Sequence, residues 1–354
     1  MCVSNQTYLK KFAMACLTGA ACFGALLADS SKAFAANFGS ISKIYAFGDS
    51  YSDGGESLRI SSEAVAAGVP GASILPPFLE LYDPQGRWTN TGLTAVEVLA
   101  QRANLGLTNY SVGGGKSGNG NLNSWLDAYQ NTGLFGQIEQ YKTQLNSVAD
   151  SDALHFIFIS TNDLLVPVFT NTLGSVESLA TKTVDNIGEG VAKLASIGAK
   201  KFFVVNSTDL AVLPFFKNQP EIAASFRDTI NQQLPNKLNA LSQQLGIEVA
   251  LYDHVAISNQ IRSAPAQYGL TNIVDACQPL YSPLGKQPQC SNSSEYYFWD
   301  EIHPTRRTHQ IIGENMAIQL ASYKTASVPE PSSILGIVVV GSALFAVRRR
   351  SFNF

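Results

Sequence analysis

The hydrophobic residues of this chain occur in two patterns, short apolar runs typical of buried strands and longer stretches with helical spacing. The run Ile44-Tyr45-Ala46-Phe47, which ends at Gly48, predicts the first strand. Similar runs predict further strands at 154–159, 202–205 and 247–252. Helical spacing predicts helices at 91–103, 175–197, 222–245 and 305–321.

Strands that alternate with helices along a chain predict a mostly parallel sheet covered by helices. In such sheets ligands bind at the carboxyl ends of the strands. The residues that follow each strand are therefore the first candidates for a functional site.

The composition is that of a globular chain with a large core, since 45% of the 354 residues are hydrophobic and 14% are charged. These values exclude a disordered chain, a coiled coil and a collagen-like fibre. Residues 36–327 contain 18 Lys and Arg against 25 Asp and Glu, a net charge of −7. An acidic body does not attract nucleic acid, so no nucleic-acid partner is expected.

The N-terminus has the features of a secretory signal peptide. Lys10 and Lys11 precede an apolar run at 12–27, and Ala-Phe-Ala at 33–35 supplies the small residues of a cleavage site. The sequence thus predicts cleavage after Ala35. The alternative is a buried N-terminal helix.

Removal of a signal peptide would leave two cysteines, Cys277 and Cys290, because Cys2, Cys16 and Cys22 lie within it. In an oxidising compartment this pair is expected to form a disulfide, and two free thiols are the alternative. The chain contains no Cys-x-x-Cys and no His-Glu-x-x-His, so no zinc site is predicted.

The C-terminus contains a 14-residue apolar run at 334–347, shorter than the roughly 20 residues of a full membrane span. The run alone is compatible with a short membrane helix or a buried one. Pro-Glu-Pro at 329–331 before it and three arginines at 348–350 after it resemble the PEP-CTERM sorting tail of exported bacterial proteins. That resemblance implies a Gram-negative envelope or cell surface, a sorting protease as partner, and arginines on the cytoplasmic side.

Polar side chains suited to nucleophilic catalysis lie near the predicted strand ends. Ser50 follows the first strand and Gly48, where a nucleophile would lie in a strand-to-helix turn; the alternative is a helix N-cap. Asn162 follows the second predicted strand. Asp300 and His303 are three residues apart, which predicts that both lie on one face of a helical turn. A carboxylate beside an imidazole fixes the tautomer that a general base needs.

Four segments resemble the signature blocks of the SGNH/GDSL hydrolase family, in that family's order. They are Gly-Asp-Ser at 48–50, Asn-Tyr-Ser at 109–111 with three glycines at 113–115, Ser-Thr-Asn-Asp at 160–163, and Asp-Glu-Ile-His at 300–303. Gly-Arg-Trp-Thr-Asn at 86–90 is similar to a stretch of the lipase and plant-type branch. The resemblance covers residues 44 to about 320 and implies an α/β fold, a three-layer α/β/α sandwich of flavodoxin-like type with a mostly parallel central sheet.

The resemblance also implies the roles of individual residues. Ser50 corresponds to the nucleophile, His303 to the base and Asp300 to the partner of that base. The backbone N–H groups of Ser50 and Gly114 and the side-chain amide of Asn162 correspond to the oxyanion hole. The family's reaction uses a carboxylic ester as substrate and needs no cofactor or metal.

Two positions depart from the family pattern. Ser160 replaces the glycine of the third block and adds a side chain near Asn162. Gly115 replaces the usual alanine after Gly114, which leaves the register of the oxyanion glycine open by one residue.

Further residues have weaker signals. His155 lies inside an apolar strand and is expected in the core, whereas His254 and His309 are expected at the surface. Long loops at 66–85 and 115–135 are candidates for an acyl groove, with ordinary loop packing as the alternative. Their candidate groove residues are Pro76, Pro77, Tyr82, Trp125 and Tyr129.

The sequence therefore predicts a signal peptide at 1–35, a hydrolase domain at 36–325 and a sorting tail at 326–354 with a short membrane helix. The predicted function is an exported serine esterase or lipase that forms an acyl-enzyme. The alternatives are a carbohydrate acetylesterase of the same fold and a non-catalytic module anchored in the envelope.

Overall fold

The computed structural model describes residues 36–280 and 288–325 of the chain. The predicted signal peptide and the predicted tail, with its apolar run at 334–347, lie outside these residues. Within the described ranges, no helix is both long enough and apolar enough to cross a bilayer.

A five-stranded parallel sheet forms the centre of the fold, with the strand order β2-β1-β3-β4-β5. A second, two-stranded parallel sheet pairs β6 with β7. The strands are β1 (Lys43–Gly48), β2 (Gly106–Asn109), β3 (Leu154–Phe158), β4 (Lys201–Val205), β5 (Glu248–Tyr252), β6 (Asn272–Ala276) and β7 (Tyr296–Phe298).

Helices cover both faces of the central sheet, which makes the fold a three-layer α/β/α sandwich. On one face α5 packs against α3, α4 and α6, and on the other α2 packs against α8. The helices are α1 (Glu56–Ala66), α2 (Ala95–Ala103), α3 (Leu134–Gln144), α4 (Thr161–Phe169), α5 (Val176–Ser196), α6 (Pro220–Leu245), α7 (His254–Ser263) and α8 (Arg306–Thr325). The predicted α/β class with a parallel sheet is confirmed.

The predicted strands agree with β1, β3, β4 and β5 to within one residue at each end. The helix predicted from residue 91 begins only at Ala95, because Thr94 and Glu97 form a capping box that starts α2 there. Leu93, which falls within the predicted helix, precedes the observed one and is 36% exposed. The last helix extends four residues beyond its predicted end, to Thr325.

Candidate active site

The serine at the end of β1 lies in a tight turn rather than at a helix N-cap. The amides of Ser52 and Asp53 both donate to the Asp49 carbonyl at 3.0 Å, which closes the turn around Ser50. The next helix, α1, begins only at Glu56, so the N-cap alternative for Ser50 is wrong. Ser50 is therefore held at the carboxyl end of the sheet by local backbone hydrogen bonds.

Gly48 allows this turn to approach the neighbouring strand closely. A Cβ at this position would lie 2.7 Å from the Phe158 carbonyl oxygen, too close for any side chain. The Gln137 side chain accepts from the Gly48 amide at 2.9 Å and donates to the Gly48 carbonyl at 2.8 Å. Gln137, which the sequence did not single out, thus fixes the residue from which the turn starts.

The structure brings together the three side chains that correspond to a catalytic triad. His303 Nε2 lies 2.9 Å from Ser50 Oγ, although the two residues are 253 positions apart in the chain. His303 Nδ1 lies 2.8 Å from Asp300 Oδ2. A carboxylate at Nδ1 favours the tautomer with its proton there, which leaves Nε2 free to accept the serine proton. All three residues are buried.

The prediction that Asp300 and His303 share a helical turn is wrong. Both lie in the connection between β7 and α8, which begins only at Arg306. They meet because Asp300 Oδ1 accepts the backbone N–H groups of Ile302 and His303, each at 2.7 Å. An aspartate that binds backbone amides two and three residues ahead folds the chain back on itself without a helix.

The Asp300 carboxylate has a further partner in the Tyr82 hydroxyl, which donates to Oδ2 at 2.5 Å. Burial acts to raise the pKa of Asp300, but the His303 charge and the hydrogen bonds from His303 and Tyr82 outweigh it and hold this pKa below its usual value. Asp300 is therefore ionised and positioned to stabilise a cationic His303.

Residues 86–90 contact the connection between β7 and α8, which contains His303. Thr89 Oγ1 donates to the Pro304 carbonyl at 2.9 Å, and Asn90 Oδ1 accepts the Arg306 amide at 2.7 Å. The Trp88 ring lies against His303 with centroids 5.3 Å apart. Residues 86–90 therefore position His303 in two ways, through hydrogen bonds to the residues that follow it and through the contact of Trp88 with its ring.

The backbone amides of Ser50 and of the three glycines at 113–115 differ in whether they already have an acceptor. The Gly113 amide donates to Asp53 Oδ2 at 2.9 Å and to Ser57 Oγ at 2.7 Å, and the Gly115 amide donates to the Val112 carbonyl at 3.0 Å. Within the described residues, the backbone amides of Gly114 and Ser50 donate to no backbone or side-chain acceptor. Because the amides of Gly113 and Gly115 are already bonded, Gly114 is a better candidate for the oxyanion glycine than either neighbour. This narrows the one-residue uncertainty that the sequence left in that assignment.

The Asn162 side chain contacts the segment that contains Gly114. Asn162 lies in the first turn of α4, and its side-chain amide donates to the Gly115 carbonyl at 3.0 Å, which leaves its second N–H for another acceptor. Ser160, the departure from the family pattern, has a buried hydroxyl with no partner among the described residues. The extra side chain thus makes no hydrogen bond in the site.

Asp49, which is buried, precedes Ser50 in the chain, and Asp163, which is half-buried, follows Asn162. Burial raises the pKa of Asp49 to about 7 and that of Asp163 to about 6, against the lowering effect of their hydrogen bonds. Asp49 accepts the Tyr51 amide at 3.1 Å, and Asp163 accepts the Ser117 amide at 3.0 Å. These carboxyls hold the turns that carry the reactive groups.

The prediction that His254 and His309 are surface residues is wrong, because α7 and α8 bury both of them. Burial lowers the pKa of His254 to about 4 and that of His309 to about 3, so both rings are neutral. His155 is a core residue, as predicted, with Nε2 2.8 Å from the Tyr141 hydroxyl.

An apolar cluster adjoins the site and includes residues of both long loops. Two of the proposed groove residues, Tyr82 and Trp125, belong to it, whereas Tyr129 is 38% exposed. The cluster also contains Cys277 and Cys290, which form the predicted disulfide. Its members are Ile60, Leu75, Leu81, Tyr82, Trp88, Val112, Trp125, Leu126, Cys277, Leu280, Cys290, Tyr296 and Trp299.

Comparison with known families decides the relationship of the chain. The family model described as GDSL-like Lipase/Acylhydrolase matches residues 44–316, which is most of the chain. The chain belongs to the GDSL-like lipase/acylhydrolase family. Membership identifies this GDSL protein as a hydrolase of ester bonds.

Curated relatives of the GDSL protein come from bacteria and plants. Thermolabile hemolysin of Vibrio parahaemolyticus is 25% identical over 300 residues, which cover 80% of this chain but only 66% of the hemolysin, just under two thirds. A GDSL esterase/lipase of Arabidopsis thaliana is 24% identical over 318 residues, 76% of this chain and 85% of the relative. Among solved structures, Est24, a carbohydrate acetylesterase from Sinorhizobium meliloti, is 15% identical with a TM-score of 0.39, over 79% of this chain and 99% of Est24.

Between residues 36 and 280 and between 288 and 325, no group of three or more His, Cys, Asp or Glu side chains is arranged to hold a metal ion.

Proposed function

We propose that the protein is a serine esterase or lipase in which Ser50 is the nucleophile. The observation that carries this proposal is the contact chain from Asp300 through His303 to Ser50, with distances of 2.8 and 2.9 Å. These distances allow direct proton transfer between the serine and the histidine. The function is thus ester hydrolysis through a covalent intermediate.

The reaction follows from the roles of these groups. Ser50 Oγ attacks the carbonyl carbon of the ester while His303 Nε2 takes its proton, and Asp300 stabilises the imidazolium that results. His303 then gives this proton to the leaving alkoxide, and an acyl-serine remains. His303 next deprotonates a water that attacks the acyl-serine. The carboxylic acid leaves, and Ser50 recovers its proton.

The negative charge that develops on the carbonyl oxygen would be held by the three donors next to the serine. They are the amides of Ser50 and Gly114 and the free N–H of the Asn162 side chain. Each preorganised donor of this kind stabilises a transition state by about 3 kcal/mol.

An apolar acyl group fits the surroundings of the triad best. The Trp88 ring, 5.3 Å from the His303 ring, belongs to the apolar cluster, as does Tyr82, whose ring lies 6.4 Å from that of His303. Burial of apolar groups against such a wall favours an acyl chain over a small, hydrated acetyl sugar. We therefore place lipid-like esters ahead of acetylated glycans as substrates.

A fluorophosphonate probe tests the proposal, because it labels only an activated serine. We expect labelling of the wild-type protein and none of Ser50→Ala, with hydrolysis of p-nitrophenyl esters lost in the same variant. Ser52→Ala is the matched control, since Ser52 is also buried but its hydroxyl has no partner among the described residues. A Ser50→Ala protein with wild-type turnover would refute the proposal.

A substrate panel separates the esterase function from its alternative. We expect p-nitrophenyl esters with longer acyl chains to give a higher kcat/KM than the acetate ester or acetylated xylan. Preferential release of acetate from xylan would instead favour the carbohydrate acetylesterase.

We also propose that the protein is exported and transiently anchored by its C-terminal tail, on the strength of the signal-like and sorting-like sequences alone. All of the proposed catalytic groups and oxyanion donors lie at or before His303, and α8 ends at Thr325. A chain that ends at Ser327 should therefore hydrolyse soluble esters at the full-length rate but lose membrane retention. An exported but inactive truncated chain would show that the tail is part of the enzyme.

A further inference from the structure

A cleft between α2 and α8 lies outside the site described above. It has a volume of about 520 Å³, which is enough for a small organic molecule. None of its lining residues belongs to the triad, the oxyanion donors or the apolar cluster. The cleft therefore has no part in the proposed hydrolysis.

Three arginines line this arginine cleft, and no carboxylate is among its lining residues. Arg102 comes from the last turn of α2, and Arg306 and Arg307 come from the first turn of α8. They converge although the body of the chain, residues 36–327, has seven more acidic than basic residues. Three like charges at one place repel each other unless an anion joins them.

The protein neutralises only part of this charge. Arg102 forms an ion pair with Glu314, and Arg307 donates through Nε and Nη2 to the Tyr268 carbonyl at 3.1 and 3.0 Å. Within residues 36–280 and 288–325, the only acceptor that the Arg306 guanidinium reaches is the Thr91 carbonyl, at 3.5 Å. Most of the Arg306 donors are therefore open to the cleft.

Arg306 is also held in place before any ligand arrives. Its backbone amide donates to Asn90 Oδ1 at 2.7 Å. Its side-chain stem packs on Gly92, where a Cβ would lie 2.8 Å from the Arg306 Cβ. Because the backbone and the stem of Arg306 are held in this way, the side chain loses less conformational entropy when its guanidinium binds an oxyanion.

We propose that the arginine cleft binds a phosphate group. Guanidinium groups bind phosphate through paired N–H donors, and arginines from two helices can contact such a group from two sides. Gln101 adds a neutral donor, and Gln310 adds the second N–H of its amide, since the first donates to Glu314 Oε1 at 3.2 Å. Leu93 and Val98 form an apolar wall for the rest of the ligand. The phosphate belongs to a small organic phosphate in solution or to a phospholipid headgroup.

Binding measurements on the full chain test this proposal and distinguish the two sources. One arm titrates inorganic phosphate and glycerol 3-phosphate by calorimetry, with chloride at equal ionic strength as the blank. The second arm measures sedimentation with phosphatidylcholine vesicles that do or do not contain phosphatidic acid. Saturable binding in the first arm assigns a soluble phosphate, and binding only to the acidic vesicles assigns a headgroup.

Two substitutions assign the binding to the cleft. We expect Arg306→Gln and Arg102→Gln each to weaken phosphate binding by about tenfold, because each removes charged hydrogen bonds to the anion. The control is Arg59→Gln, since Arg59 is an exposed arginine on α1 that pairs with Glu56 and Glu63. It should bind as the wild-type protein does.

Two results would overturn the proposal. One is the absence of saturable binding with every probe, and the other is equal binding by the cleft variants and Arg59→Gln. A thermal melt checks that each variant is folded, and the Arg102 variant decides if the Arg306 variant is not. Because inorganic phosphate and glycerol 3-phosphate are not carboxylic esters, the calorimetric arm is independent of the function proposed for Ser50, and vesicles of ether-linked lipids make the sedimentation arm independent of it as well.

Discussion

The Tyr82 hydroxyl and His303 Nδ1 meet on the same oxygen of Asp300, at 2.5 and 2.8 Å from Oδ2. Tyr82 is also part of the apolar cluster, so one side chain joins the wall beside the reaction centre to the carboxylate that orients the base. A hydrogen bond to a charged group contributes about 1.5–3 kcal/mol. Tyr82 is therefore a positioning residue for the triad.

Replacement of Tyr82 by Phe removes this hydrogen bond and keeps the ring. We expect kcat/KM to fall by about tenfold. Because the Tyr82 bond lowers the pKa of Asp300, its loss raises that pKa, and activity should be lost at a higher pH on the acidic side. A pH–rate profile measures both effects.

The matched control for this variant is Tyr141→Phe. Tyr141 is equally buried, and its hydroxyl contacts His155 near the amino end of β3, away from the triad. That variant should lose stability but keep the wild-type pH profile. Identical profiles for the Tyr82 variant and the wild-type protein would show that Tyr82 only fills space.

Replacement of Asn162 by Ala removes one proposed oxyanion donor. We expect kcat to fall by roughly 10²–10³-fold with KM nearly unchanged, because the donor acts mainly on the charge of the transition state. Steady-state kinetics with a p-nitrophenyl ester measure this split. The control is Asn315→Ala on α8, which loses the hydrogen bond that the Tyr252 hydroxyl of β5 donates to Asn315 Oδ1 and should leave kcat unchanged. A rise in KM alone would mean that Asn162 binds substrate rather than the oxyanion.

The buried His254 should make the protein sensitive to acid. Its pKa is about 4 when folded and near 6.5 when unfolded, so the unfolded chain takes up a proton first as the pH falls. The stability that depends on a neutral ring is complete above pH 6.5 and is lost as the pH falls toward 4. The loss amounts to about 3 kcal/mol for this group.

Substitution of His254 by Phe isolates this contribution. The variant should lose less free energy of unfolding than the wild-type protein between pH 7.5 and pH 4.5, as urea titrations at several pH values would measure. If the free energy of unfolding changes with pH by the same amount in the variant and in the wild-type protein, His254 has the same pKa in the folded and unfolded states.

The disulfide should stabilise the fold beside the reaction centre. Cys277 and Cys290 are 13 positions apart, and closure of a loop of that size contributes about 3 kcal/mol in the chain-entropy model. We expect the double Ala variant to unfold at a lower urea concentration, and dithiothreitol to bring the wild-type protein close to it. Unfolding curves that dithiothreitol does not change would contradict this prediction.

The sequence was sufficient to find Asn162 and the three residues of the contact chain, because Ser50, Asn162 and the pair Asp300 and His303 each lie in a short local motif. The alternation of predicted strands and helices gave the α/β class, and the resemblance of the four motifs to the hydrolase family implied the three-layer sandwich. The sequence could not decide which of the three glycines at 113–115 is the oxyanion glycine, because that choice depends on which of their amides already have acceptors. That information exists only once Asp53 and its partners are placed in space.

Other features had no local signal. β2 is only four residues long, its residues are partly exposed, and its sequence Gly-Leu-Thr-Asn contains no apolar run. Tyr82 and Gln137 have their roles through contacts 218 and 89 positions away in the chain. The burial of His254 and His309 likewise depends on how helices pack, which periodicity does not specify.

Gly48 and Phe158 are the last paired positions of β1 and β3. Ser50 follows Gly48 by two residues, and Asn162 follows Phe158 by four. The pairing of β1 with β3 therefore sets the distance between the proposed nucleophile and the proposed amide donor. One residue inserted into either strand would displace these groups by about 3.3 Å, more than a hydrogen bond tolerates. Changes of chain length that preserve activity are therefore confined to the loops, where they leave this spacing intact.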